Sequence, residues 1–298
     1  MPSPEAPRPI LVIGATGRIG REVVAELVSR AIPTRALARD TAAAARLLAP
    51  RVDIRRGDLD DAASLAAAMD GVGAVYLASA VGAALVEQHA RAIDSAARAG
   101  VAHIVRVSTE GVEANSAMSL VQWHRAGEAA LEASGLAWTH LRPCNFMPNM
   151  LAFAPGIAAR GEIRAPFAGG RMTLVDVADI AAVAVACLLG TEHRNRAYKV
   201  TGDEWLSYDD VAAAVADAIG RPVRFVALSV AQARAEMNAA GTPPWLTDDL
   251  LAMYALLGQD RTTPVTDVVG RLTGRTPRRF GDFARAHQAA FAAGDARH

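Results

Sequence analysis

Three glycines, Gly14, Gly17 and Gly20, recur at every third position between an apolar run and an amphipathic one. The run before them, Ile10-Leu11-Val12-Ile13, reads as a strand buried on both faces. The stretch after them, 21–30, carries Val23, Val24, Leu27 and Val28 on one helical stripe. Strand, glycine turn and helix in this order constrain the fold more than any other feature. Glycines allow a tight turn and close backbone approach, and the helix start offers free N–H groups to an anion. The pattern is that of a dinucleotide-binding turn, with Gly14, Thr16, Gly17, Arg18, Ile19 and Gly20 as the candidate phosphate loop.

The rest of the chain repeats the alternation. Strands are expected at 34–39, 52–55, 72–78, 103–108 and 137–141, with helices at 41–48, 62–69, 83–99 and 121–134 between them. That predicts an α/β Rossmann fold, a doubly wound parallel sheet with helices on both faces, and ligands beyond the strands' carboxyl ends. A Rossmann domain is expected over 8–155, completed by about 172–200, with a smaller substrate-binding or lid portion over 156–171 and 201–298. Residues 143–170, rich in Pro, Gly and Phe, read as a loop across a binding cleft.

Composition narrows the partners. Lys plus Arg equals Asp plus Glu, 31 each, with no run of like charge, which argues against nucleic acid and anionic membranes. Cys144 and Cys187 are too few for a disulfide scaffold, and no His/Cys cluster points to zinc, so no metal is expected. No apolar stretch reaches membrane-spanning length, and a cytoplasmic protein, monomer or homodimer, is the expectation.

Polar residues after the expected strands are the site candidates. Arg39, after the second strand, suits a 2′-phosphate where NAD-selective sites carry an acid; the other reading is a solvated loop arginine, with Asp40 beside it. Asp58 and Leu59 follow the third strand and either touch an adenine edge or start a helix. Ser79 follows the fourth strand, and Ser108 and Thr109 the fifth. His89 and His103, in a helix and a strand interior, read as structural, and Asp176 and Asp179 as a turn and a helix cap.

GATGRIG (14–20), RALARD (35–40), GDLDD (57–61), VRVSTEG (105–111), HRAGEAALEASGLAWTHLRP (124–143) and TLVDVADIA (173–181) together resemble the NmrA-like, atypical short-chain dehydrogenase/reductase family. The resemblance spans nearly the whole chain and implies NADP(H) as cofactor. It implies an NADPH-dependent oxidoreductase, like the quinone and benzylic ether reductases, passing hydride to a small, fairly apolar carbonyl, quinone or conjugated alkene. The family also holds NADP-binding regulators without catalysis, and an isomerase or cyclase on the same fold is a third reading. Ordinary short-chain dehydrogenases carry Tyr-x-x-x-Lys on the helix after the fifth strand. Here Leu120 and His124 occupy those slots. His124 is the candidate catalytic residue, as proton donor or as nicotinamide-ribose contact. By the same resemblance Pro143, Asn145 and Phe146 run beside the nicotinamide. Thr109, Met147, Asn149, Met150, Phe153, Phe167 and Trp245 are the candidate substrate-pocket residues.

Overall fold

The computed structural model describes residues 7–114, 116–166, 169–259 and 264–294. In chain order the first elements are β1 (Ile10–Ile13), α1 (Arg18–Ser29), β2 (Thr34–Ala38), α2 (Thr41–Leu47), β3 (Asp53–Arg56) and α3 (Ala62–Met69). Next come β4 (Ala74–Leu77), α4 (Leu85–Arg98), β5 (His103–Val107), α5 (Ser119–Glu132) and β6 (Ala137–Pro143). The chain continues through β7 (Asn145–Phe146), a 3-10 segment (Met147–Phe153), α6 (Ala154–Arg160), β8 (Glu162–Pro166) and β9 (Met172–Val175). It then forms α7 (Val177–Leu189), β10 (Arg196–Val200), β11 (Trp205–Leu206), α8 (Tyr208–Ile219) and β12 (Arg224–Leu228). Five helices follow: α9 (Val230–Ala239), α10 (Pro244–Leu257), α11 (Val268–Thr273), α12 (Phe280–Ala286) and α13 (Gln288–Ala293).

The chain divides into two units. The first holds 1–116, 120–143 and 180–199; the second holds 117–119, 144–179 and 200–298. The expected changeover near residue 155 thus falls instead after Pro143, where β6 ends.

In the first unit a seven-stranded sheet has the order β10-β6-β5-β4-β1-β2-β3. The pairs β1–β2, β1–β4, β2–β3, β4–β5 and β5–β6 are all parallel, as expected of a Rossmann fold. Every residue of β1, β4 and β5 is buried, because helices cover both faces of such a sheet. Leu65 and Met69 of α3, Ile93 and Ala96 of α4, and Leu131 of α5 join Leu11, Ile13, Val75 and Ile104 of the strands in one core. Fully burying each Leu or Ile there contributes about 1.5–3 kcal/mol.

In the second unit the stretch 143–170 is structured rather than a loop. Met147, Met150, Leu151, Ala154, Ile157 and Ile163 enter a core with Tyr208, Val211, Phe280, Phe283 and Phe291. Pro148 and Pro155, which suggested a loop, each stand in the first turn of a helical segment. A proline is tolerated there because its missing N–H has no helical partner anyway. β12 runs parallel to β8, and β9 lies between β7 and β11. Ser207 and Ser229 begin α8 and α9 with capping boxes closed by Asp210 and Gln232.

The first glycine turn depends on two close approaches. Gly14 has φ +79°, and a Cβ on it would lie 2.5 Å from the Ala78 carbonyl oxygen of the next strand's exit. A Cβ on Gly20 would lie 2.1 Å from the Gly14 carbonyl oxygen, where α1 crosses the strand end. Gly20→Ala should therefore destabilise the protein by about 1–3 kcal/mol, the usual cost of overpacking. Urea unfolding measures this, and a midpoint equal to the parent's would show that α1 is free to shift away.

Candidate functional site

The candidate residues of the first unit leave the carboxyl ends of its parallel strands, the edge where ligands of open α/β sheets bind. The glycine turn itself splits into two parts. Thr16, Gly17 and Arg18 are exposed, whereas Ile19 and Gly20 are buried. Ile19 therefore offers an incoming group only its backbone N–H, since its side chain belongs to the α1 core. Gly17 caps α1 with φ −75°, and its N–H donates to the Gly14 carbonyl at 3.0 Å. Gly14, not Gly17, is thus the residue that needs a glycine backbone. The first N–H groups of α1 have no partner within the helix and lie next to this exposed turn.

Arg39 is exposed just beyond β2. The neighbouring Asp40 does not compete for a ribose, because its carboxylate accepts from the Ala43 N–H at 2.9 Å and caps α2. After β3, Asp58 accepts from the Asp60 N–H at 3.0 Å, while Asp61 caps α3. The helix-start reading of Asp58 is thereby refined to a turn one step ahead of the cap. Leu59 leans against the core.

A buried polar chain runs through the middle of the sheet. The Ser79 hydroxyl lies 2.9 Å from His89 Nε2. Arg106, on β5 and fully buried, donates from Nε to His89 Nδ1 at 2.9 Å. Its Nη2 lies 3.3 Å from Nδ1 of His124. Sequence reasoning treated His89 as structural and gave Arg106 no role. The available signal was a charged residue in the otherwise apolar run Ile104-Val105-Arg106-Val107, since a buried guanidinium must find partners. The helix α5 makes room for it at Gly127, where a Cβ would come within 2.4 Å of Nη2.

His124 is held neutral: burial first and the Arg106 cation second push its pKa down to about 3. The α5 N-terminus adds little, because the helix begins at Ser119 and His124 sits in its second turn. The dipole effect falls off within the first. Leu120 on the same helix leaves no tyrosine in that slot. Burial raises the Glu128 pKa, but the Arg142 guanidinium outweighs it and holds the carboxylate below its ordinary range. That pair is bidentate, Nε to Oε1 at 3.0 Å and Nη2 to Oε2 at 2.6 Å, and it ties α5 to β6. Glu132 and His140 bring ligand atoms near Glu128, but Arg142 already supplies the cation there. Ser108 is buried and its N–H donates to the Leu141 carbonyl at 2.7 Å; Thr109 is partly exposed. The Pro143 carbonyl accepts from the Glu110 N–H at 3.1 Å.

The second unit revises the pocket expectation. Met147 and Met150 are core residues, 1% and 3% exposed, packed with the other side chains of this unit's core. Phe153 packs edge-on against Tyr208 at 5.8 Å. Asn149 donates to the Asn145 side-chain oxygen at 2.8 Å, Phe146 is half-buried in β7, and Trp245 is half-buried in α10. Phe167 lies outside the described residues. Asp176 makes a turn to the Ala178 N–H, and Asp179 accepts from the Arg278 N–H, each at 2.8 Å.

Residues 14–191 match the model of a family described as NAD(P)H-binding. This chain belongs to that family. It is 41% identical over 284 residues to an NAD(P)H azoreductase of Xenophilus azovorans, covering 95% of this chain and 99% of the relative. It is 38% identical, over the same shares, to a (4-alkanoyl-5-oxo-2,5-dihydrofuran-3-yl)methyl phosphate reductase of Streptomyces griseus. Among solved structures, the NADPH complex of a quinone oxidoreductase from Escherichia coli superposes with TM-score 0.84 and 27% identity, covering 93% of this chain and 99% of that one. The expected NAD(P)H-binding reductase family is thereby borne out, with NADP(H) as the cofactor.

Two outcomes follow for the cofactor. Arg39→Ala should weaken NADPH binding about ten- to a hundredfold, the worth of a charge-assisted hydrogen bond, and leave NADH binding nearly unchanged. Calorimetry with both cofactors checks this, and equal losses for both would remove Arg39 from the 2′-phosphate. Gly17→Val should fold normally, since its φ suits any residue, yet lose NADPH binding because the side chain fills the exposed turn.

Proposed function

We propose that this NAD(P)H-dependent reductase passes hydride to conjugated acceptors, namely quinones, azo compounds and activated alkenes, rather than to simple ketones. The observation that carries the reading is His124, buried and kept neutral beside Arg106 on a helix that has Leu120 in the tyrosine slot. The exposed Thr16-Gly17-Arg18 turn at the α1 N-terminus fits a pyrophosphate, and the free Arg39 side chain fits a 2′-phosphate. NADPH, when bound, supplies the hydride.

What the chain must then handle is negative charge on the acceptor. Reduction of a simple ketone leaves a localised, strongly basic alkoxide that needs a matched acid. Reduction of a quinone or an enone leaves a delocalised anion, for which a fixed hydrogen-bond donor is enough and water delivers the proton. Neutral His124 can donate a hydrogen bond but has no proton to give up near neutral pH. The azoreductase, the furanone-phosphate reductase and the quinone oxidoreductase named above all support a conjugated acceptor. The buried thiols of Cys144 and Cys187, not joined in a disulfide, suit a reducing compartment, which supports the cytoplasm.

NADPH oxidation against a quinone, an azo dye, an enone and an unconjugated ketone tests the proposal. The first three should outpace the ketone, and a ketone turned over faster than all of them overturns it. His124→Ala should lower kcat about a hundredfold, as loss of one oxyanion donor does, with NADPH affinity nearly kept. A loss confined to NADPH affinity would make His124 a ribose contact.

A further inference from the structure

We propose that Arg106 is a positioning residue that locks His89 and His124 in one tautomer, making His124 a fixed hydrogen-bond donor and neither an acid nor a base. The inference rests on the reading of His124 just given.

A guanidinium has only donors, so any nitrogen it bonds must be an acceptor. Arg106 meets His89 at Nδ1, 2.9 Å from Nε, and His124 at Nδ1, 3.3 Å from Nη2. Both rings then carry their proton on Nε2. For His89 that proton points to the Ser79 hydroxyl 2.9 Å away, and the hydroxyl in turn donates to the Ala80 carbonyl at 3.3 Å. For His124 it leaves Nε2–H as the ring's remaining polar group, with no protein partner among the described residues. One cation thus orients two side chains, His124 directly and Ser79 through His89, on neighbouring elements of the same sheet.

The polarity is opposite to that of a hydrolase triad. There a carboxylate accepts from Nδ1–H and makes Nε2 a base. Here a cation donates to Nδ1 and draws electron density from the ring, which strengthens Nε2–H as a donor. Burial and Arg106 from β5 enforce this state at both rings, His124 adds to it at His89, and Glu128, one turn along α5, opposes it at His124 without prevailing. The arginine stays charged, because burial lowers its pKa only to about 10 while Glu128 opposes the fall. Gly127 sets the distance, since a Cβ there would displace Nη2.

Histidine-ring nitrogen NMR on the full chain without cofactor tests the lock directly. His89 and His124 should both show Nε2–H tautomers with no titration between about pH 5 and 8. A ring protonated on Nδ1, or one titrating near its ordinary value, overturns the proposal. Arg106→Met should give mixed tautomers and lower kcat at least tenfold, with NADPH affinity held within about twofold. Should that variant not fold, Gly127→Ala takes its place: it should release His124 alone, with His89 still locked. Wild-type tautomers and kcat in a folded Arg106→Met, or in Gly127→Ala, also overturn it. The tautomer readout needs no acceptor, so a wild type that reduces no quinone would count against the proposed function while the lock stood.

Discussion

The contact between Gly20 and the Gly14 carbonyl governs the first unit. A methyl group would not fit between them, so α1 sits closer to the end of β1 than any side chain would allow. That closeness aims the start of α1 at the turn and leaves Thr16, Gly17 and Arg18 exposed in front of its N–H groups. Gly14 makes the turn possible with a backbone conformation that L side chains rarely adopt. The three glycines therefore do different work: one bends the chain, one keeps the cradle open, and one seats the helix.

A second constraint lies two strands away. Arg106 places a positive charge inside a strand whose other residues are buried too. Such a charge is tolerated only where hydrogen-bond acceptors and a counter-charge surround it. His89 and His124 accept from Nε and Nη2, Glu128 supplies the counter-charge and Gly127 the space, while Nη1 has no hydrogen-bond partner among the described residues. Arg142 in turn holds Glu128, so β6, α5 and β5 are joined through one polar chain. The same groups that surround the buried charge bear on the state of His124. Stability and chemistry are here consequences of one arrangement.

Local pattern made the Rossmann unit legible because parallel strands buried on both faces read as uninterrupted apolar runs. Ile10–Ile13 and Ala74–Leu77 are of this kind, and the glycine turn between such a run and a helix has few alternative uses. The stretch 143–170 misled for an equally local reason. Its prolines suggest a loop, yet Pro148 and Pro155 fall in first turns, and only the core around Tyr208 and Phe280 shows why helical segments form there. The candidate pocket residues Met147 and Met150 belong to that core for the same reason, since an apolar side chain looks alike whether it faces a ligand or its own fold.

The sequence by itself determined the parallel sheet, the glycine turn, the absence of a tyrosine at residue 120 and the exposed arginine after β2. Each is a matter of residue type at a fixed spacing, which backbone geometry reads without help. Tertiary structure alone decided that Asp40 is spent on a helix cap, that Arg106 faces two histidines, and that Gly127 lets it do so. Residues 89, 106 and 124 lie far apart along the chain, and no periodicity relates them. They meet because β5 carries Arg106 between the helices bearing the two histidines, and the cost of an unpaired buried charge then fixes how they bond.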